Sequence, residues 1–481
     1  MRTLNRFLLG LLMHLPLSGA AQNQNAVWLF DMTTGLDFMT NPPTVLHVST
    51  ALGRNVSVIG SDAGDLVLYA DEERIRNAQH QVLMNGDGLY ESPFTGKPQS
   101  NMILPWPGHP GQYYMIQPYP WNLNDPIAPT YYHRVDMNAF GGSGAVVEKN
   151  VVLADSAGAY LTAVLDSAGT GIWVILHHLN APRFMAYHLD ADGLSTAPVI
   201  SEAGPPIDPG WYQAMGILRP SPEGDRLYLS KCYENCVDFT KLHKMDFDRA
   251  TGQISNFSTF DGPVQGSSGL EISPSGQYLY STTYICASSI ASQLWQYDVS
   301  SDDPYAILAS KTLVHEATYP PGPCLGRQGN LALGVDGRIY CAVSYAQHLG
   351  VINAPDLPAP ACDYVHQGFY LDGDTTWLGL PNQMRAYPIT STGMASTTAE
   401  VPRLLIVPHP ATAGCRIVLG TERAHRLDLL DARGHRVRAL RCAPGQRELQ
   451  LDREGLANGL YLVVARQADG KVAAVGRVIF E

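Results

Sequence analysis

The pair His177-His178, in "GIWVILHHLN", is the first place to look for metal or acid–base chemistry. On a strand, successive side chains point to opposite faces, so the two imidazoles cannot hold one ion from the same side. The simpler reading is one packed ring and one solvated ring. "GGSGA" (141–145) nearly spells a nucleophile elbow but ends in Ala145. Without a strand-to-helix turn around it, Ser143 reads as a loop residue. "DADG" (190–193) and "DGDTT" (372–376) carry clustered acids. Neither has the alternating ligands and closing Glu of a calcium loop, so they read as turn acids. The most aromatic stretch, 106–132, holds Trp106, Trp121, Tyr113-Tyr114 and Tyr131-Tyr132 among prolines. It suits either internal packing or a sugar- or peptide-binding surface. No zincin helix motif and no phosphate-binding Gly-Lys-Ser/Thr loop is present. From the residues, the catalytic, cofactor and metal sets are therefore empty.

The eight cysteines raise a redox question. Cys232 and Cys236, in "CYENC", are spaced to close a small loop. Cys415 and Cys442 stand alone in the last 80 or so residues and are candidates to pair there. Buried free thiols are the alternative for some of the eight. A zinc site needs about four ligands at short spacing, and no second close pair follows.

An oxidising destination is suggested by the N-terminus. Arg2 and Arg6 precede the apolar run Phe7–Leu17, followed by Ser18-Gly19-Ala20-Ala21. This is the layout of a secretory signal peptide over 1–21, cleaved near Ala20 or Ala21. The apolar run is too short for a membrane span. No later segment is long and apolar enough either, so no transmembrane segment is expected after cleavage.

Charge divides the chain. Residues 1–400 carry a net charge of −17, and residues 401–481 a net of +5. An acidic main body argues against nucleic acid as a partner, because phosphate binding needs a basic face.

The elements that must position any site are read from a repeat. "SPEGDRLYLS" (221–230) returns as "SPSGQYLYST" (273–282). A turn glycine followed by a β-favouring strand recurs at Gly64, Gly111, Gly169, Gly224, Gly276 and Gly337, with gaps of 47, 58, 55, 52 and 61 residues. Interleaved with it, a strand ends in Asp or Asn at Asp31, Asn77, Asp136, Asp190, Asp248, Asp298 and Asn353. Gly supplies positive φ at a tight hairpin, and Asp or Asn caps its own turn. Two hairpins per period make four strands per unit, and such units bury their faces only by stacking in a ring. The expected fold is all-β: a seven-bladed β-propeller over 22–390, with six blades as the alternative. The missing glycine turn is assigned to "WLGLPNQMRAY" (377–387), read as strand, Pro-Asn turn, strand. Together with the hairpin at Asp31 it would form one blade from both ends of the domain.

Residues 391–400, "STGMASTTAE", read as a linker. After it, 401–481 alternates strands and turns over a length that suits a small antiparallel β-sandwich. This tail resembles the type A C-terminal sorting domain of the type IX secretion system of Bacteroidota. The matching features, in order, are Val407, Pro408, His409 and Pro410 in "VPHPA", then Gly434, then Gly459 and Tyr461 in "LANGLYLV", and a closing hairpin "DGKVAAVGRVIF" (469–480). Val407 stands where the family has an aromatic residue, and His409 where it has Asn. The body, over most of 26–388, is similar to Bacteroidota secreted propellers that carry such tails, through stretches such as "NAQHQVLMNGDGL" (77–89) and "GLPN" (379–382). Its turn–strand repeats also resemble lactonase-type propellers. Asp155-Ser156-Ala157 and Asp166-Ser167-Ala168 resemble the short O-glycan acceptor motif of that phylum.

The resemblance implies a route through the periplasm to the outer cell surface or the medium, with the type IX machinery as partner of the tail. Three functional readings follow. The first is a non-catalytic binding or scaffold propeller with a glycan, peptide or protein ligand and no cofactor. The second is a propeller hydrolase or lactonase-like enzyme with its site at the central channel. The third is a structural surface-layer component.

Overall fold

The computed structural model describes residues 23–30, 33–48, 56–71, 73–90, 101–119, 129–179, 181–204, 216–231, 239–265, 267–283, 292–317, 325–385, 404–407, 411–419, 425–431, 436–443, 446–467 and 472–480. The chain divides into two compact units, Met1–Thr390 and Ser391–Glu481. No helix among the described residues is long and apolar enough to cross a membrane.

Unit one is a ring of seven antiparallel sheets. Blade 1 spans 27–47, blade 2 57–77, blade 3 102–154, blade 4 157–201, blade 5 216–265, blade 6 267–317 and blade 7 328–370. Each sheet buries its faces against its neighbours in sequence order. Leu29 and Val58 join blades 1 and 2, and Leu104, Met115 and Leu161 join blades 3 and 4. Tyr160 and Leu229 join 4 and 5, Tyr228 and Leu279 join 5 and 6, and Tyr280 and Cys341 join 6 and 7. The ring closes where Trp28 and Phe38 of blade 1 pack on Tyr340 of blade 7, with Trp28 and Tyr340 ring centroids 5.6 Å apart. Apolar faces that no single sheet can bury alone are thus buried all round the circle.

The turn chemistry expected from the repeat is present. Gly64, Gly111, Gly169, Gly224, Gly276 and Gly337 all have positive φ, between 71° and 92°, at the first hairpin of blades 2 to 7. Asn77, Asp136, Asp190, Asp248 and Asp298 each accept a hydrogen bond from the backbone N–H two residues on.

Closure differs from the expectation in two respects. Asp31 itself lies outside the described residues, but it falls between the first two strands of blade 1, Val27–Phe30 and Thr34–Asp37. The acid that caps its own turn there is Asp37, through Met39 N at 2.8 Å. Blade 1 therefore draws three strands from the start of the chain, matching the second to fourth strands of the other blades. Second, residues 377–385 form neither a strand nor a hairpin. They occupy the missing innermost position. A Cβ on Gly269 would strike the carbonyl oxygen of Gly329, and one on Gly329 would strike that of Leu378, so the segment follows blade 7 as blade 7 follows blade 6. Pro381 has no N–H to give to a ladder, and the long polar side chains beside it reach the axis instead.

Unit two is a two-sheet sandwich, as expected. One sheet orders 405–407, 414–418 and 448–452, and the other 436–441, 426–430, 459–466 and 472–480, all antiparallel. Ile417, Leu427, Leu429, Val463 and Phe480 are among the side chains that fill its core.

Candidate functional site at the ring axis

The inner strands of a propeller turn one backbone edge toward the axis, and unpaired groups there need partners. Residues 378–385 supply them. Leu378 O accepts from Asn330 N of blade 7 at 2.8 Å. Asn382 Nδ2 donates to Leu161 O of blade 4 at 3.2 Å. Gln383 Nε2 donates to Val58 O of blade 2 at 3.1 Å and to Val27 O of blade 1 at 3.4 Å. Met384 is buried among the apolar side chains of blades 2, 3 and 4. The protein's own chain therefore runs down the axis and is bonded into the blades around it.

At the end of this segment three charged side chains meet. Arg219, on the inner strand Gly216–Pro220 of blade 5, donates from NH1 to Asn382 Oδ1 at 3.0 Å and from NH2 to Leu331 O at 3.2 Å. Its Nε lies 3.4 Å from Glu271 Oε2, and both residues are buried. Burial presses the Arg219 pKa below its ordinary value; Glu271 opposes this and Arg385 adds to it. Arg385 NH2 pairs with Glu271 Oε1 and donates to Ile272 O at 2.8 Å. Glu271 also accepts from Ile272 N at 2.9 Å and from Leu333 N at 3.3 Å. Its carboxylate thus accepts three hydrogen bonds and lies beside the Arg219 guanidinium, whose Nε–H donates to Leu270 O at 3.1 Å. A carboxylate held this way has little acceptor capacity left with which to take a proton from a substrate.

A cavity of about 240 Å³ opens beside this array, lined by Asn25, Trp28, Arg219, Glu271, Gln383 and Arg385 together with prolines and small residues of blades 5 to 7. Two guanidinium groups and one carboxylate leave it one positive charge in excess. Trp28 is 1% exposed, and its indole N–H has no hydrogen-bond partner among the described residues.

The residues singled out from sequence fall elsewhere. His177 is buried against Phe184, 4.5 Å between centroids, while His178 is half-buried. Ser143 follows a tight turn, Ala139–Gly142, in which Phe140 and Gly141 are left-handed, on an exposed connection in blade 3. Asp190 caps its turn. Asp374 and Asp372 bind the two nitrogens of His47, at 2.9 and 3.3 Å, across the closing seam. This raises the His47 pKa, with Asp374 the larger cause. In the aromatic stretch, Trp106 stacks on His109 at 3.9 Å and donates to Asp190 O at 3.0 Å, so it packs blade 3 on blade 4. Trp121 lies outside the described residues.

In the sandwich, Val407 is 43% exposed. Pro408, His409, Pro410 and Gly434 lie outside the described residues, as do Cys232 and Cys236 of unit one. Gly459 opens its strand at φ 143°, a region that favours glycine. Tyr461 is buried beside Phe480 and donates to Ala457 O at 3.0 Å. Cys415 and Cys442 are buried free thiols in the sandwich core. Burial pushes both thiols up from their ordinary pKa.

The Arg219–Glu271–Arg385 array was missed from sequence, yet a signal existed. Arg219 and Glu271 each stand five residues before a repeat glycine, Gly224 and Gly276. The same position holds Ile59, Trp106, Val164 and Ala332 in the other copies. Opposite charges at an otherwise apolar inner position mark the pair.

The fold and the axis array define a seven-bladed β-propeller. No protein-family model and no curated protein matches the chain. Solved structures similar to it include a putative 6-phosphogluconolactonase from Bacteroides fragilis, at 12% identity and TM-score 0.43, covering 76% of this chain and 98% of that one. A putative 6-phosphogluconolactonase from Bacteroides uniformis is 12% identical with TM-score 0.42, covering 72% and 98%. The Swd1 β-propeller domain of Myceliophteria thermophila is 14% identical with TM-score 0.37, covering 68% and 94%. The assignment of the fold rests on the seven packed sheets, not on these likenesses.

Proposed function

We propose that this is an exported, non-catalytic binding propeller, delivered to the cell surface or the medium by a type IX sorting tail. The signal-peptide layout over 1–21 and the ordered motifs of 401–481 support the route. The observation that carries the binding reading is the heavily engaged carboxylate of Glu271. It is the only acid among the described residues lining the axis cavity, and three hydrogen-bond donors and a second guanidinium already engage it. An array held by its own hydrogen bonds beside an open cavity is suited to holding a ligand rather than to moving a proton.

Fractionation of cells tests the route. A chain lacking 401–481 should accumulate in the periplasm while the full chain reaches the surface or medium. Equal amounts of the truncated chain outside the cell would overturn the sorting reading.

A further inference from the structure

We infer that the axis cavity is a binding site for a small carboxylate-bearing molecule, held by the guanidinium of Arg385 and the indole N–H of Trp28. This rests on the binding reading above and adds the chemistry of the ligand.

Two independent observations meet in the cavity. The first is charge. Arg219 and Arg385 face one carboxylate, so one positive charge is left uncompensated in a largely buried place. Buried charge without a counter-charge is costly, and an anion entering the cavity would relieve it. The second is a donor without an acceptor. Trp28 is almost wholly buried and its indole N–H is unpaired. Buried polar groups are nearly always satisfied, and the exceptions call for an unseen partner. An N–H needs an acceptor, and a carboxylate supplies acceptors and negative charge together.

Arg385 is placed to receive it. Its side chain is 17% exposed, against 6% for Arg219, so solvent reaches the Arg385 end of the cavity. Among the described residues, only its NH2 is engaged, by Glu271 and by Ile272 O. Guanidinium groups bind carboxylates through parallel N–H···O bonds. A single excess charge matches a monoanionic carboxylate better than a phosphate dianion. About 240 Å³ lies below the usual span of roughly 300–1,000 Å³ for drug-sized ligands, so a compact molecule is expected.

The test is titration of the full mature chain with acetate, glucuronate, neutral glucose and inorganic phosphate. Binding is read by calorimetry and by the indole N–H resonance of Trp28, which is identified by its loss in Trp28→Phe. The expected result is that acetate and glucuronate move that resonance at millimolar concentration and glucose does not. Arg385→Met should weaken glucuronate binding at least tenfold, Arg385→Lys less, and Trp28→Phe by several-fold. Thermal melts of each variant separate lost binding from lost fold. Equal response to glucose and glucuronate, unchanged in Arg385→Met, would overturn the anion while leaving a binding propeller. A response to phosphate alone, or no movement with any probe, would overturn the site. Chemical conversion of glucuronate, seen in its own spectrum, would instead overturn the non-catalytic reading beneath it.

Discussion

Arg219 of blade 5 donates to Asn382 at 3.0 Å, across 163 residues of sequence and inside a buried axis. Asn382 in turn donates to Leu161 of blade 4. One side chain thus ties two blades to a segment that belongs to neither.

Replacing Asn382 by Ala should therefore be expensive for so small a change. It leaves an Arg219 N–H and the Leu161 carbonyl without this partner in a place water does not freely reach. The expected loss is about 2–4 kcal/mol, read from the midpoint shift in urea at constant m. A loss below about 0.5 kcal/mol would mean that the axis segment does not hold the ring.

Glu271→Gln keeps the shape and removes the charge between two guanidinium groups. Breaking one side of a buried pair typically costs about 3–5 kcal/mol. Chemical denaturation should show a loss of that order. An unchanged midpoint would contradict the network drawn around Glu271.

Acid should weaken the propeller through its buried histidines. Burial, with a smaller push from Lys149, holds His133 down at about 3. Its Nδ1 accepts from Asn150 N at 3.1 Å, so the folded ring is neutral. The unfolded chain takes up the proton near pH 6.5 and the folded chain does not. This contribution is full above that pH and is lost as pH falls toward 3, at up to about 1.4 kcal/mol per pH unit. His366, lowered to about 4 by burial and by His315, acts in the same direction. Stability measured at pH 7 and 4.5 should differ less in His133→Gln than in the parent; equal slopes would refute the assignment.

Secreted material should begin near Ala21 or Gln22. Mass spectrometry of the exported protein checks this, and an intact Met1 would reject the signal peptide.

Much of the ring was legible because its turns use a small alphabet. Positive φ at Gly224 and Gly276 and self-capping at Asp248 and Asp298 are local demands, met by local sequence. The closing segment was not legible in the same way. "WLGLPNQMRAY" has strand-like residues, but Asn382, Gln383 and Arg385 bond to blades distant in sequence. Nothing within the segment reveals that the inner edges of those blades await donors. The repeat puts Asp31 in the place that belongs to Asp37, since both are acids after an apolar strand. The cavity depended on pairing Arg219 with Glu271, and that becomes visible only when the repeats are aligned on their glycines. The packing of Trp106 and His177 follows from contacts between blades, which periodicity predicts in kind but not residue by residue.

The bond from Asn25 to Met384 O, 2.7 Å long, joins positions 359 residues apart. Bringing such distant points together costs about 5 kcal/mol in chain entropy by the logarithmic loop law. Contacts of this range form slowly, and they cannot form until both ends exist. A chain emerging from the ribosome can stack blade on blade, but the inner edges that Asn382 and Gln383 engage stay without these partners until residues 378–385 arrive. Plugging the axis is then the terminal act of folding, and any chain truncated before that stretch should be trapped as a hollow, aggregation-prone ring.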